Sequence, residues 1–286
     1  MKRILVCVGI ISVVAAHSCS GPTEPDPYDF RYPLAVGNQW VYDYNVTAVF
    51  GEDSVQQRES GLMGVIVSDT TTFFPGALQY TLTEFFGQFP GDSSITEPQF
   101  GSPGGGIYVN MKNGLYHVQT VSLGGWNVAP KRSADSCIVR IGSLEFSSVS
   151  DMIASLGAGL ISPPLSASGE GSILRLSLPY PLELGQSWTY NDSAFGGVTV
   201  IKKSVADTTR TLKMNDVEIE CYMVGWEYSG SISDIEITDC ISDKGLISRE
   251  IVFKDIAETS YIEPYGTGEF YDLHLTYDLS EYQLTD

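Results

Sequence analysis

Alternation at every second residue constrains this chain more tightly than any motif in it. Trp40, Tyr42, Tyr44, Val46, Ala48 and Phe50 alternate with Val41, Asp43, Asn45 and Thr47. A period of two is the mark of a strand with one face buried. Near the C-terminus Tyr271, Leu273, Leu275, Tyr277 and Leu279 alternate with Asp272, His274, Thr276 and Asp278, more cleanly still. Turn signals punctuate the runs between. Asn113-Gly114 inside 108–119 predicts a hairpin, because Asn-Gly suits the positive φ angles of a type I′ turn. Residues 220–240 read as another hairpin turning at Gly230-Ser231, and Asp243-Lys244-Gly245 turns the chain into 246–253. Consecutive strands joined by tight turns make an antiparallel meander. Helix signals are confined to 147–160, where Ser or Asp can cap an apolar stretch that glycines end. The Gly-, Pro- and Ser-rich stretch 89–106 reads as a mobile loop, and the region around 130–172 as similarly irregular.

One phrase occurs twice. YPLAVGNQWVYDY at 32–44 returns as YPLELGQSWTYND at 180–192, 148 positions on. Pro33 and Pro181 fix φ and push the preceding Tyr into an extended conformation. Gly37 and Gly185 permit a tight turn. Trp40 and Tyr42, like Trp188 and Tyr190, then share one face of the following strand. No acid, base or nucleophile is common to both copies, so the phrase is read as a way to enter a sheet at a sharp angle and bury a Trp. The alternative is a pair of aromatic platforms for a ligand.

The N-terminus carries an address. Lys2 and Arg3 precede Ile4 to Ala16, an apolar run of 13 residues. That is too short for a bilayer core and right for a signal-peptide core. Ala16-His17-Ser18 places small residues before Cys19, a pattern that resembles the bacterial lipoprotein signal. The resemblance implies that residues 1–18 are removed and that Cys19 becomes the acylated first residue, a firm anchor because each buried methylene contributes about 0.8 kcal/mol. Ala16 and His17 depart from the usual form of that signal, and an ordinary secretory signal is the alternative. Residues 19–31, rich in Pro and acids, form an extended solvated tether. Ser20 after the Cys points to the outer membrane by the usual enterobacterial sorting pattern. Removing 1–18 takes away Lys2, Arg3 and no acid, so net charge moves from −19 to −21. Such a surface repels nucleic acid, and no nucleic-acid partner is expected.

The two phrases, with Lys244 to Glu250 (KGLISRE), resemble a loose group of bacterial envelope lipoproteins with TapB-like domains. The resemblance implies a sheet akin to the half-barrel of LolA- and LolB-like lipoprotein carriers. It carries over no catalytic residue. The expected fold is therefore mainly β, a strongly curved antiparallel sheet (a half-barrel-like meander) with at most one short helix. Residues 32–286 are read as a single β domain, because the second phrase falls inside a continuous run of strands.

The chain is poor in chemistry. His117, beside Asn110 and Gln119, sits opposite the apolar Val109, Met111, Tyr116 and Val118, and His274 lies on the polar face of the last strand, so both read as solvated. No GxSxG, HExxH or GxxxxGK[ST] motif occurs. Asp234, Glu236, Asp239 and Asp243 could gather a hard cation, but their spacing fits a solvated strand face better. No enzyme activity, metal or cofactor is expected. Cys137, Cys221 and Cys240 follow the leader, and an exported chain meets oxidising conditions. A two-residue loop at Gly230-Ser231 makes partner numbers sum to 461, which sets Trp226 opposite Ile235, Val224 opposite Ile237 and Cys221 opposite Cys240. That pair is the expected disulfide, with three free thiols as the alternative. The functional expectation is a non-catalytic envelope lipoprotein that binds an apolar ligand or an envelope protein partner on its curved sheet. A structural or surface-interaction module with a self-filled core is the alternative, and a hydrolase a third. An open apolar cup would distinguish the first from the second.

Overall fold

The computed structural model describes residues 30–51, 54–74, 77–86, 105–121, 139–142, 144–149, 152–153, 156, 171–194, 199–214, 216–230, 234–258 and 270–285. The leader 1–18, Cys19, Cys137 and most of the 19–31 tether and the 89–106 loop lie outside the described residues.

Strands β1 (Gln39–Phe50), β2 (Ser54–Phe74), β3 (Ala77–Phe86), β4 (Gly105–Met111) and β5 (Gly114–Val121) run as a meander. A small hairpin follows, β6 (Val139–Ile141) and β7 (Leu144–Phe146), and then β8 (Gly171–Pro179). The second half is β9 (Ser187–Ala194), β10 (Thr199–Met214), β11 (Val217–Gly230), β12 (Ile235–Ser242), β13 (Gly245–Glu258) and β14 (Tyr271–Gln283). Twelve strands form one antiparallel path in the order β8-β5-β4-β3-β2-β1-β14-β13-β12-β11-β10-β9, with β6 and β7 off it. The sheet curls until its edges, β8 and β9, approach each other, so the expected curved sheet goes on to become a nearly closed barrel with one seam. At the seam, side chains replace the ladder. The Trp188 indole donates from Nε1 to the Leu176 carbonyl at 3.0 Å, and Lys203 reaches from β10 to the Ser177 carbonyl at 3.4 Å.

The path divides at the repeated phrase. The first copy leads into β1 and the second into β9, so each opens a run of six strands around the ring. The turns of both copies fold alike, although the Tyr180-Pro181 bond is cis and the Tyr32-Pro33 bond is not. Asn38 N–H bonds back to Ala35 O at 3.0 Å, and Gln186 N–H to Glu183 O at 3.2 Å. Gly37 and Gly185 sit third in these four-residue turns with φ of 93° and 73°, the left-handed position of a type II turn. Each glycine then bonds the neighbouring strand, Gly37 to Val67 O at 2.9 Å and Gly185 to Ala206 O at 3.3 Å. Val67 N–H and Val205 N–H return to Asn38 O and Gln186 O, both at 2.8 Å. The two copies also touch, because Tyr32 N–H donates to the Tyr180 hydroxyl at 3.0 Å. The phrase is a corner piece used twice.

Apolar side chains fill the ring. On β1 Trp40, Tyr42, Tyr44, Val46 and Ala48 are buried as the alternation predicts, while Val41 on the other face is buried too and Phe50 is only half-buried. On β14 the buried set is Tyr271, Leu273, Leu275, Tyr277 and Leu279. Trp40 and Tyr42 reach past β14 to the start of β13, bonding Lys244 O at 2.6 Å and Leu246 O at 2.9 Å. Gly245 sits beneath them with φ of 105°, and a Cβ there would meet the Trp40 indole nitrogen at 3.0 Å. The Asp243-Lys244 turn into β13 is as expected, with Ser242 opposite Gly245.

Several expectations need correction. The β4–β5 turn is Lys112-Asn113, with Met111 opposite Gly114, one residue earlier than predicted. The region around 130–172 is less irregular than expected. The β6–β7 hairpin pairs with β13. The helical bonds from Met152 N–H to Ser148 O at 3.0 Å and from Leu156 N–H to Met152 O at 2.9 Å fall where a helix was expected at 147–160. On β11 and β12, Trp226 faces Ile237 and Met223 faces Cys240, so partner numbers sum to 463 rather than 461. The hairpin is thus centred one residue later than predicted. The shift makes Cys221 and Cys240 diagonal neighbours.

A buried polar cluster beside the seam

Inward positions repeat every second residue, and some of them carry charge. On β10 they are Ile201, Lys203 and Val205, on β12 Ile235, Ile237, Asp239 and Ile241, and on β13 Ile247, Arg249, Ile251 and Phe253. Strand register then makes these charges neighbours, because Lys203 pairs with Trp226, Val224 with Asp239, and Asp239 with Arg249. Arg249 grips Asp239 with two bonds, Nε to Oδ1 at 2.6 Å and Nη2 to Oδ2 at 2.9 Å. The Trp226 indole N–H donates to the same Oδ2 at 2.8 Å. Three charge-assisted or polar donors thus satisfy one buried carboxylate, which is what a buried ion pair needs in order to persist. Burial works against the Arg249 charge, but the field and hydrogen bonds of Asp239 outweigh it and hold the guanidinium above its ordinary value.

Lys203 is differently placed. Its Nζ lies 3.6 Å from the centre of the Trp226 ring and 4.4 Å from that of Tyr190. Burial depresses the ammonium to about 7, with Asp239 pulling the other way and Arg249 adding to the depression. A cavity of about 60 Å³ lies against this group, lined among others by Tyr32, Tyr108, Ser177, Tyr190, Lys203 and Arg249. Burial keeps the phenols neutral. Tyr32 is pushed up to about 12, and Tyr108 and Tyr190 are raised further by the same cause.

His117 belongs to this interior. It was expected on a solvated face, but it is buried and pairs across the hairpin with Tyr108, whose ring it meets edge-on at 5.2 Å. Burial lowers its pKa to about 3, with the charges of Lys203 and Arg175 adding to the effect. The expectation failed because the hairpin is apolar on both sides. Val109 and Val118 pack in a second cluster with Met111 and Tyr116, while Leu115 and His117 face the barrel. Asp239 is a second correction, taken as solvated and found buried. Asp243 and Glu236 do face water, and Glu236 pairs with Lys254. His274 is half-buried on β14, outside the cluster.

The cysteines stand apart from the cavity lining. Cys221 and Cys240 are buried with free thiols whose Sγ atoms are 2.9 Å apart, and Cys240 also meets the Met223 sulfur at 3.0 Å. The expected disulfide called for directly opposed positions, whereas the two thiols are close neighbours on diagonal ones. Among the described residues no group of three His, Cys, Asp or Glu side chains is arranged to hold a metal ion. Lys203, Asp239 and Arg249 were missed as a group. Their signal was present: each falls in phase with Ile or Val two residues away, where the alternation calls for an apolar side chain.

No protein-family model matches the chain, and no curated protein matches it. Among solved structures, a Bacteroides fragilis protein described as having a YmcC-like fold aligns with a TM-score of 0.33 and 12% identity, covering 89% of this chain and 99% of that one.

Proposed function

We propose that the protein is a non-catalytic envelope lipoprotein, held to the membrane through an acylated Cys19, whose barrel acts as a structural or surface-interaction module. The observation that carries this reading is that, among the described residues, the barrel's own side chains fill its interior. Trp40, Tyr42, Phe253, Ile251 and Leu273 are fully buried inside the ring. The cavity of about 60 Å³ is less than half of the roughly 150 Å³ that admits a benzene ring. A carrier of acyl chains needs an open apolar cup, and the geometry favours the module over the apolar-ligand reading. The outward residues of β14 are Asp272, His274, Thr276 and Asp278, a polar exterior unlike that of a barrel facing lipid.

The chain enters the barrel at Phe30 to Tyr32, beside the two corner turns. Tyr32 touches Tyr180, and the turn residues Val36 and Leu184, 148 positions apart like the phrases themselves, are exposed. An anchor at Cys19 would turn this end toward the membrane. Two measurements test the reading. A Cys19→Ala variant should leave the membrane fraction or accumulate unprocessed, and membrane partitioning like the parent's would refute the anchor. Native mass spectrometry of the mature protein should show no acyl-bearing adduct beyond the anchor. A stoichiometric lipid adduct on the Cys19→Ala protein would restore the carrier reading.

A further inference from the structure

We propose that the cavity inside the seam is a binding site for a small monoanion of carboxylate size, with Lys203 as its principal ligand. The lysine is 3% exposed, yet among the described residues its one hydrogen bond is the long 3.4 Å contact to Ser177 O. An ammonium has three N–H donors, and such bonds ordinarily run about 2.7–3.2 Å. Among the described residues the remaining donors meet only the faces of Trp226 and Tyr190 and the cavity itself. Buried polar groups in folded proteins are almost always paired, so an underused buried ammonium calls for a partner.

Two other buried atoms, His117 Nδ1 and Asn110 Oδ1, have no hydrogen-bond partner among the described residues, but neither residue lines the cavity, and an amide oxygen accepts and so adds nothing to an anion site. Both residues sit on the β4–β5 hairpin beside Tyr108, which lines the cavity, and Asn110 spends its amide N–H on Tyr32 O at 3.1 Å.

The local charge selects the sign. Lys203 and Arg249 contribute two positive charges and Asp239 one negative, so the set is one positive charge in excess. Arg175 adds to the positive field at His117 and Tyr190. Buried Glu84 acts on Tyr108 and Tyr277 but is not among the groups that act on Lys203. Arg249 is already engaged by Asp239, which leaves the lysine to meet an incoming anion.

Size selects the class. One water-sized probe takes about 10–15 Å³ of such volume, so the cavity admits a species of about four heavy atoms. Formate, acetate and bicarbonate fit, and an aromatic acid does not. Access needs no main-chain ladder to open, because Ser177 and Leu178 on β8 and Tyr190 on β9 line the cavity at the edge that side chains alone close. This site does not depend on lipid anchoring.

Formate is the probe, titrated into the full mature protein at pH 6.5 against sodium gluconate at constant ionic strength. The melting temperature of the wild type should climb with formate and reach a rise of about 5–10 °C at a hundredfold excess over Kd. Lys203→Met, close to lysine in shape, should fold and show no formate-dependent rise. In the wild type, the Lys203 Nζ resonance should shift with formate on the same curve. An Nζ signal that formate leaves unmoved, or equal thermal responses in wild type and Lys203→Met, would mean that the cavity holds only water and would overturn the proposal.

Discussion

The same phrase opens both halves of the barrel, yet the two strands that it launches close the ring by different means. β1 is zipped to β14 from Gln39 to Val49 and to β2 on its other side. β9 pairs with β10, while its other edge meets β8 through side chains. Trp40 is sealed beneath the β12–β13 turn, whereas its counterpart Trp188 is half-buried and holds the Leu176 carbonyl across the gap. A local motif can fix the angle of entry and the position of an indole. Whether that strand finds a ladder partner depends on where the rest of the ring ends. The difference matters because the underused lysine and the cavity lie at the side-chain edge and not at the zipped one.

The largest expected effect separates the two tryptophans. Trp40→Ala should cost about 3–5 kcal/mol, the usual range for a fully buried aromatic. Trp188→Ala should cost about 1–2 kcal/mol, because it loses one hydrogen bond and only partial burial. Urea unfolding of both variants measures this, and equal losses would erase the contrast between junction and seam.

Next comes acid sensitivity, which reports on whether the seam keeps water out. Burial sets His117 at about 3 in the folded protein against 6.5 in the unfolded chain. The unfolded chain therefore takes up a proton between those values while the native one does not. Stability should fall as pH drops from about 6.5 to 3, by up to about 1.4 kcal/mol per pH unit, and His117→Gln should flatten that slope. An imidazole that titrates near 6.5 by NMR in the folded protein would show that the seam admits water.

A smaller effect is expected far from both edges. Oxidation should join Cys221 to Cys240 and raise stability by less than about 3 kcal/mol, since the diagonal placement strains the bridge. Because it links β11 to β12 only, the ratio of the two tryptophan effects should not change. Non-reducing peptide mapping after oxidation identifies the bridge, and two alkylatable thiols would refute the pairing.

These contrasts were only partly legible in the sequence. Trp40 to Phe50 and Tyr271 to Leu279 announced β1 and β14, because a half-buried strand must alternate and little else competes with that pattern. The corner turns were legible for the same kind of reason, as Gly37 and Gly185 occupy a conformation that other residues resist. Ring closure was not legible. It arises from curvature accumulated over twelve strands, and no short segment encodes it. The hairpin registers slipped where the turn position had to be guessed, by one residue earlier at Lys112-Asn113 and by one residue later between β11 and β12. The cluster was hidden for a third reason. Lys203, Asp239 and Arg249 are distant in sequence and become neighbours only through the pairing of β10 to β13, although each breaks the apolar phase of its own strand.

Amide hydrogen exchange tests the central claim, a barrel zipped at β1–β14 and closed by side chains at β8–β9. Protected amides in the β1–β14 ladder should exchange only with global unfolding, while those on β8 and β9 that face the seam should exchange orders of magnitude faster. Seam-facing amides as slow as those of β1 and β14 would mean a continuous ladder around the ring, and would contradict the account.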